Sequence, residues 1–327
     1  MENRISPTIT DILTAYRFLK GRVRHTPLEL SHALSEEVGG SVYLKWENQQ
    51  HCASFKIRGA LNRMYALTAG ERAKGVVTAS SGNHAQGVAT AASLLGVKAV
   101  ICVPGMCPET KKNAIRRRGG TWVDLRVIGH FYDEAEEEAK RLAAADGMTF
   151  VSAYEDFRVV CGQGTVAVEM LLDEPELDML VVPISGGGLI SGITAAALAM
   201  RPGIEIWGIH AAANPSWTRG WQEGRIVPVE EEDTLADALS GAASQILYEY
   251  LRPRLAGVIP VTESAMADAV AFLHREHRQI VEGSAATGVA ALREKALDVH
   301  GRKVGVVVSG GNIDEAKLLR ILRKESF

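Results

Sequence analysis

The sequence lacks the marks of several large functional classes. It holds no run of about 18 apolar residues, the length a membrane-crossing helix needs. Residues 1–13 contain no apolar stretch of secretory-signal type, which predicts a cytoplasmic protein. Excess charge is also missing. Lys and Arg number 36 against 39 Asp and Glu, for a net charge of −3, so no nucleic-acid or membrane surface is expected. Cysteine is scarce: Cys52, Cys102, Cys107 and Cys161 fit no zinc spacing and read as buried small side chains. No G-x-x-x-x-G-K-[ST] loop occurs, and there is no repeat or low-complexity tract. The acidic run at residues 229–233 reads as a solvated loop.

What is present is an ordinary globular composition, 46% hydrophobic and 23% charged over 327 residues, enough for two domains. Strand-like runs lie at 42–45, 76–79, 99–103, 122–127, 179–184, 205–209, 258–261 and 304–308. Helical periodicity lies at 57–67, 83–95, 108–117, 132–144, 165–172, 190–200, 266–277 and 315–322. This alternation predicts an α/β fold of parallel sheets with helices on both faces. Ligands in such folds sit at the carboxyl ends of strands.

Four segments carry chemistry. Lys56 follows Ser54-Phe55 and opens the helical pattern KIRGALNRMYAL. A lysine in a helix's first turn meets the positive end of the dipole, which favours the neutral amine able to form a Schiff base. The turn Ser80-Ser81-Gly82-Asn83-His84 follows a strand and opens a helix. It suits an anion site, or an ordinary capped helix. The turn Ser185-Gly186-Gly187-Gly188-Leu189 follows the strand MLVVPI and reads as a phosphate cradle. A dinucleotide is disfavoured there: Ser191 stands where the fingerprint needs Gly or Ala, and the next strand ends in His210 rather than an acid. The fourth segment, Ser309-Gly310-Gly311-Asn312, is a tight turn that delivers a serine from a strand end.

An amine, an Asn-bearing turn, a phosphate cradle and a strand-end serine match the needs of pyridoxal 5′-phosphate (PLP). The stretches SFKIRGA, SSGNHAQGVA, CGQGT, SGGGLISG, TLAD, VEGSAA and SGGNID resemble the serine/threonine dehydratase and serine racemase group of fold-type II PLP enzymes. The resemblance implies the tryptophan synthase beta-like fold: two open, twisted, mostly parallel-sheet domains with the cofactor between them. Residues 1–50 and 150–327 would form the large domain, and 51–149 a small mobile one. It makes Lys56 the Schiff-base lysine, with Phe55 packed beside the cofactor. Asn83 meets the ring hydroxyl. The backbone N–H groups of Ser185, Gly186, Gly187, Gly188 and Leu189 hold the phosphate, and Ser309 meets the ring nitrogen. Substrate carboxylate falls to Ser80, Ser81, Gly82, Asn83 and His84. A homodimer acting on a small amino acid is expected.

The implied reaction is loss of water from a β-hydroxy amino acid, giving a 2-oxo acid and ammonia. A serine at the ring nitrogen cannot keep it protonated as a carboxylate would, and this favours prompt β-elimination. Racemisation is the alternative, because Ser81 stands where many dehydratases have Ala and can serve as an acid on the opposite face. A PLP-binding protein without turnover is a remote third reading. The loop before Lys56 carries Cys52 in place of the usual Thr, and the segment after Asp237 is poorer in glycine than in relatives. With the variable position Tyr154, these changes point away from plain serine or threonine, towards substrates such as 3-hydroxyaspartate, phenylserine or hydroxyectoine-derived amino acids. Trp217 and Trp221 read as packing residues. His210 replaces a glutamate that binds the divalent cation in metal-dependent members, so no metal is expected.

Overall fold

The structure is a computed structural model that describes residues 6–230, 232–241 and 243–324. Glu231, within the acidic run, lies outside the described residues. The strands are β1 (Leu28–Leu30), β2 (Ser41–Trp46), β3 (Val76–Ala79), β4 (Ala99–Val103), β5 (Val123–Val127), β6 (Thr149–Phe150), β7 (Met179–Pro183), β8 (Glu205–Ala211), β9 (Gly257–Val261) and β10 (Lys303–Val308). They form two sheets, of order β1-β2-β10-β7-β8-β9 and β5-β4-β3-β6. Every pairing is parallel except β1 with β2. β3, β4 and β7 are buried along their whole length, as unbroken apolar strands covered on both faces must be.

The helices are α1 (Ile9–Leu19), α2 (His32–Val38), α3 (Lys56–Tyr65), α4 (Ala69–Lys74), α5 (Asn83–Leu95), α6 (Glu109–Gly119), α7 (Tyr132–Asp146), α8 (Phe157–Asp173), α9 (Gly188–Met200), α10 (Ser216–Glu223), α11 (Gln245–Leu251), α12 (Glu263–His277), α13 (Gly283–Arg293) and α14 (Glu315–Leu322). None among the described residues is long and apolar enough to cross a membrane.

Two departures from the sequence expectation are instructive. The strand expected at 122–127 begins at Val123, because Gly120–Trp122 forms a 3-10 turn. The helix expected at 165–172 begins at Phe157, where Asp156 caps it by accepting from the N–H groups of Arg158 and Val159. The glycines of CGQGT hid that first half. They serve close packing: a Cβ on Gly162 would stand 2.5 Å from the Arg58 carbonyl oxygen, and one on Gly164 would stand 2.7 Å from that of Gly192. Thus α8 lies flush against both α3 and α9.

A buried ionic cluster fixes α3. The Arg58 guanidinium, fully buried, bonds Glu47 Oε1 at 2.7 Å and Glu169 Oε1 at 2.7 Å. Lys45 Nζ meets Glu169 Oε2 at 2.7 Å and the Thr26 carbonyl at 2.6 Å. Deleting one member would strand a buried charge, at a cost of about 3–5 kcal/mol. The cluster clamps the helix two residues beyond Lys56 to β2 and α8.

Candidate active site

The four chemical segments meet where the two sheets join. The Phe55 N–H donates to the Ser309 carbonyl at 3.2 Å, and Ser54 and Gly310 form an antiparallel bridge. This seats the loop before Lys56 on the turn after β10. Lys56 Nζ donates to the Ala153 carbonyl at 3.2 Å and lies 5.1 Å from the Phe55 ring centroid. Burial holds its pKa down at about 8, and the nearby Glu282 carboxylate partly opposes the shift. Burial is therefore the main cause of the neutral amine, where sequence reasoning invoked the helix dipole.

Asn83 is the first residue of α5. Its Nδ2 donates to Glu282 Oε1 at 2.7 Å, and its Oδ1 accepts from Asn312 Nδ2 at 2.6 Å. Asn312 Nδ2 also reaches the Cys52 carbonyl at 2.9 Å. Burial, with Asp237 nearby, pushes Glu282 up to about 7. Asp237 is paired with Lys111 at 2.9 Å, across the join between the sheets. His84 Nε2 lies 3.0 Å from the Val151 carbonyl, so the ring proton resides there and Nδ1 is left as a buried acceptor without a partner. Burial, then Lys56, lowers its pKa to about 3, and the ring stays neutral. In the same turn, the Gly82 N–H donates to Ser80 Oγ at 3.2 Å. A Cβ on Gly82 would meet nothing within 4 Å, so the turn faces open space.

Ser185 to Leu189, the turn expected to cradle a phosphate, run from the end of β7 into the first turn of α9. Gly187 is the N-cap at φ 101°, a left-handed conformation that suits glycine, and α9 has no side-chain cap. Trp217 Nε1 donates to the Ser185 carbonyl at 2.5 Å, and the Ser244 N–H reaches the Gly186 carbonyl at 3.4 Å. Tyr154 closes the other side, where a Cβ on Gly186 would stand 2.5 Å from its ring. Trp217 thus both packs and hydrogen-bonds the cradle. The four cysteines are free and buried, and burial raises the pKa of Cys52.

These residues fit PLP. They offer an amine with a lowered pKa, two uncapped helix starts rich in N–H donors, an oriented amide and a buried strand-end serine. The profile of the family described as "Pyridoxal-phosphate dependent enzyme" matches residues 19–310. The chain belongs to that family. L-threonine ammonia-lyase of Thermotoga maritima is 41% identical over 318 residues, 97% of this chain and 78% of that protein. L-threo-3-hydroxyaspartate ammonia-lyase of Saccharomyces cerevisiae is 35% identical over 314 residues, 95% of this chain and 94% of that protein. The solved structure of maize serine racemase superposes with a TM-score of 0.91 at 33% identity, covering 98% of each chain.

This fold-type II PLP enzyme therefore has the tryptophan synthase beta-like architecture and falls in the threonine dehydratase and serine racemase group. Its cofactor is PLP, and it performs β-elimination or racemisation on a small amino acid. Sequence reasoning quoted VEGSAA and SGGNID but gave no role to Glu282 or Asn312. The available signal was a lone carboxylate between apolar and small residues at a helix start. Only the fold shows that it faces Asn83.

Proposed function

We propose that this enzyme removes water from a β-hydroxy amino acid and releases a 2-oxo acid and ammonia. What supports the reading is the difference between the two candidate acid–base groups. Lys56 has an amine held near pKa 8 by burial. The resemblance puts Ser81 on the opposite face, and among the described residues no hydrogen bond joins its hydroxyl to an imidazole or a carboxylate. A serine without such help is a poor second base.

Bound here, PLP supplies the carbonyl that captures the substrate amine and the ring that withdraws electrons. The chain's own residues do the rest. The N–H groups of Ser185 to Leu189 would hold the phosphate, and Phe55 would pack beside the ring. Asn83, its amide already oriented by Glu282 and Asn312, would offer its second N–H to the ring oxygen. The uncharged Ser309 hydroxyl would serve the ring nitrogen. The turn Ser80, Ser81, Gly82, Asn83 and His84 takes the substrate carboxylate at an uncapped helix start. Lys56 removes the α-proton and, as an ammonium, returns it to the departing hydroxyl, so one group serves both transfers.

The reading includes a homodimer and the division into a large domain (1–50 and 150–327) and a small mobile domain (51–149). The Lys111–Asp237 pair spans that division and ties its two sides together. Racemisation is kept as the second reading because the resemblance makes Ser81 a candidate acid on the opposite face. A panel of β-hydroxy amino acids, assayed for 2-oxo acid and for the opposite enantiomer, tests the proposal. Faster formation of the enantiomer on every substrate would replace it with the second reading.

A further inference from the structure

The end of β8 holds an arrangement unlike the one the family resemblance leads one to expect. His210, only 2% exposed, stands where the resemblance leads one to expect a cation-binding glutamate. Its Nδ1 lies 3.0 Å from the Ala211 carbonyl oxygen and 3.1 Å from that of Asn214. Its Nε2 lies 2.8 Å from Thr218 Oγ1. Two carbonyls can only accept, so Nδ1 bears the proton and Nε2 accepts from the threonine. Hard divalent cations are built from converging oxygens. Here the converging carbonyls are already occupied by an N–H, and no carboxylate joins them. Among the described residues, no group of three or more His, Cys, Asp or Glu side chains could hold a metal ion.

What the histidine holds leads to the phosphate cradle. Asn214 Nδ2 donates to the carbonyls of Leu239 and Gly241, each at 3.2 Å, and its Oδ1 accepts from Ser216 Oγ at 2.5 Å. Trp217 follows at once and donates to the Ser185 carbonyl at 2.5 Å. Its ring also lies 3.4 Å from where a Cβ on Gly187 would stand.

We propose that the His210 N–H does the work of a divalent cation: it draws the Ala211 and Asn214 carbonyls together, sets Trp217 against Ser185, and so holds the cofactor phosphate loop without metal. His210 is a positioning residue, and the inference rests on the reading that Ser185 to Leu189 hold the phosphate.

The test measures the PLP dissociation constant of the apoprotein in EDTA and in Mg²⁺, for wild type and three variants. Wild type should bind equally in both. His210→Ala frees two buried carbonyls and should weaken PLP binding about tenfold or more in both buffers. His210→Gln supplies an amide N–H and should recover most of the loss, which separates the donor from mere bulk. His210→Glu places a carboxylate beside the two carbonyls. Its binding should be weak in EDTA and restored by Mg²⁺, a response that lost packing alone would not give. Loss of wild-type affinity in EDTA, wild-type affinity in His210→Ala, or a His210→Glu protein indifferent to Mg²⁺ would each overturn the inference. If His210→Glu does not fold, the Ala and Gln pair decides. Pyridoxal without its phosphate provides the control for the cradle. Should wild type bind it as tightly as PLP, the cradle reading fails; should the phosphate preference persist while His210 variants bind normally, only the His210 inference fails.

Discussion

Helices that begin away from the site differ from those that begin at it. Thr8, Ser31, Thr68, Asp156, Thr262 and Asp314 each cap a helix by accepting from a first-turn N–H, as does Ser244, whose own N–H reaches Gly186. α3, α5, α9 and α13 start at the site, and none has a side-chain cap. At α13 the N-cap residue is Glu282, and its carboxylate turns to Asn83 instead. α6, α7 and α10 also lack side-chain caps; the N-cap residue is a proline in α6 and α10 and Phe131 in α7, where the Glu134 carboxylate accepts from the Phe131 N–H. A missing cap costs about 1 kcal/mol. At α5 and α9 that stability is given up where anionic ligand groups are expected, whereas at α3 the Gly59 N–H is taken by Gln163 Oε1.

The comparison can be broken most severely at Lys56. Lys56→Ala should reduce turnover by about 10⁴-fold or more and remove the visible absorbance of lysine-bound PLP. Normal activity would end the central claim. Next comes Gly82→Asp, which adds the cap that α5 lacks. It should stabilise the apoprotein by up to about 1 kcal/mol while lowering kcat/KM by orders of magnitude, since the carboxylate takes the substrate's place. Thermal melts and kinetics on the same preparation check both halves. A stabilised and fully active protein would show that this helix end binds nothing.

Ser81→Ala should suppress any racemisation by about 10²-fold and spare elimination. Equal loss of both activities would make Ser81 a positioning group. A smaller effect is expected at Glu282→Gln. The carboxylate favours the charged form of Lys56, so its removal should take the lysine's pKa below about 8. In the apoprotein, the curve of amine labelling against pH should move to lower pH; an unmoved curve would uncouple the pair. Smallest is Thr262→Ala, at the capped start of α12. It should cost about 1 kcal/mol in chemical denaturation and leave kinetics unchanged.

Much of this was legible in the sequence, for identifiable reasons. β3, β4 and β7 are continuous apolar runs between turn-forming residues, so period and punctuation agree. The chemical segments stand at strand-to-helix turns, where small residues are conspicuous. α13 was missed because Gly283–Arg293 is buried nearly all round and so has no polar face to mark its period. The first half of α8 was hidden by glycines chosen for contact with neighbours rather than for helix formation. Glu282 and Asn312 escaped because their partner, Asn83, lies about 200 residues away along the chain. Trp217 was assigned to packing because an indole N–H bond to a distant carbonyl leaves no local trace.

The place of β10 bears on how the molecule comes into being. This last of the described strands is an inner one, between β2 and β7. While the ribosome is still short of residue 303, the β1–β2 hairpin and the β7–β8–β9 block have no strand to join them, and both present bare edges. Insertion of β10 closes the gap and in the same event delivers Ser309 and Asn312 beside Lys56 and Asn83. A nascent chain is therefore most exposed to mispairing just before it gains its site. Complete sheet and complete active site arrive together.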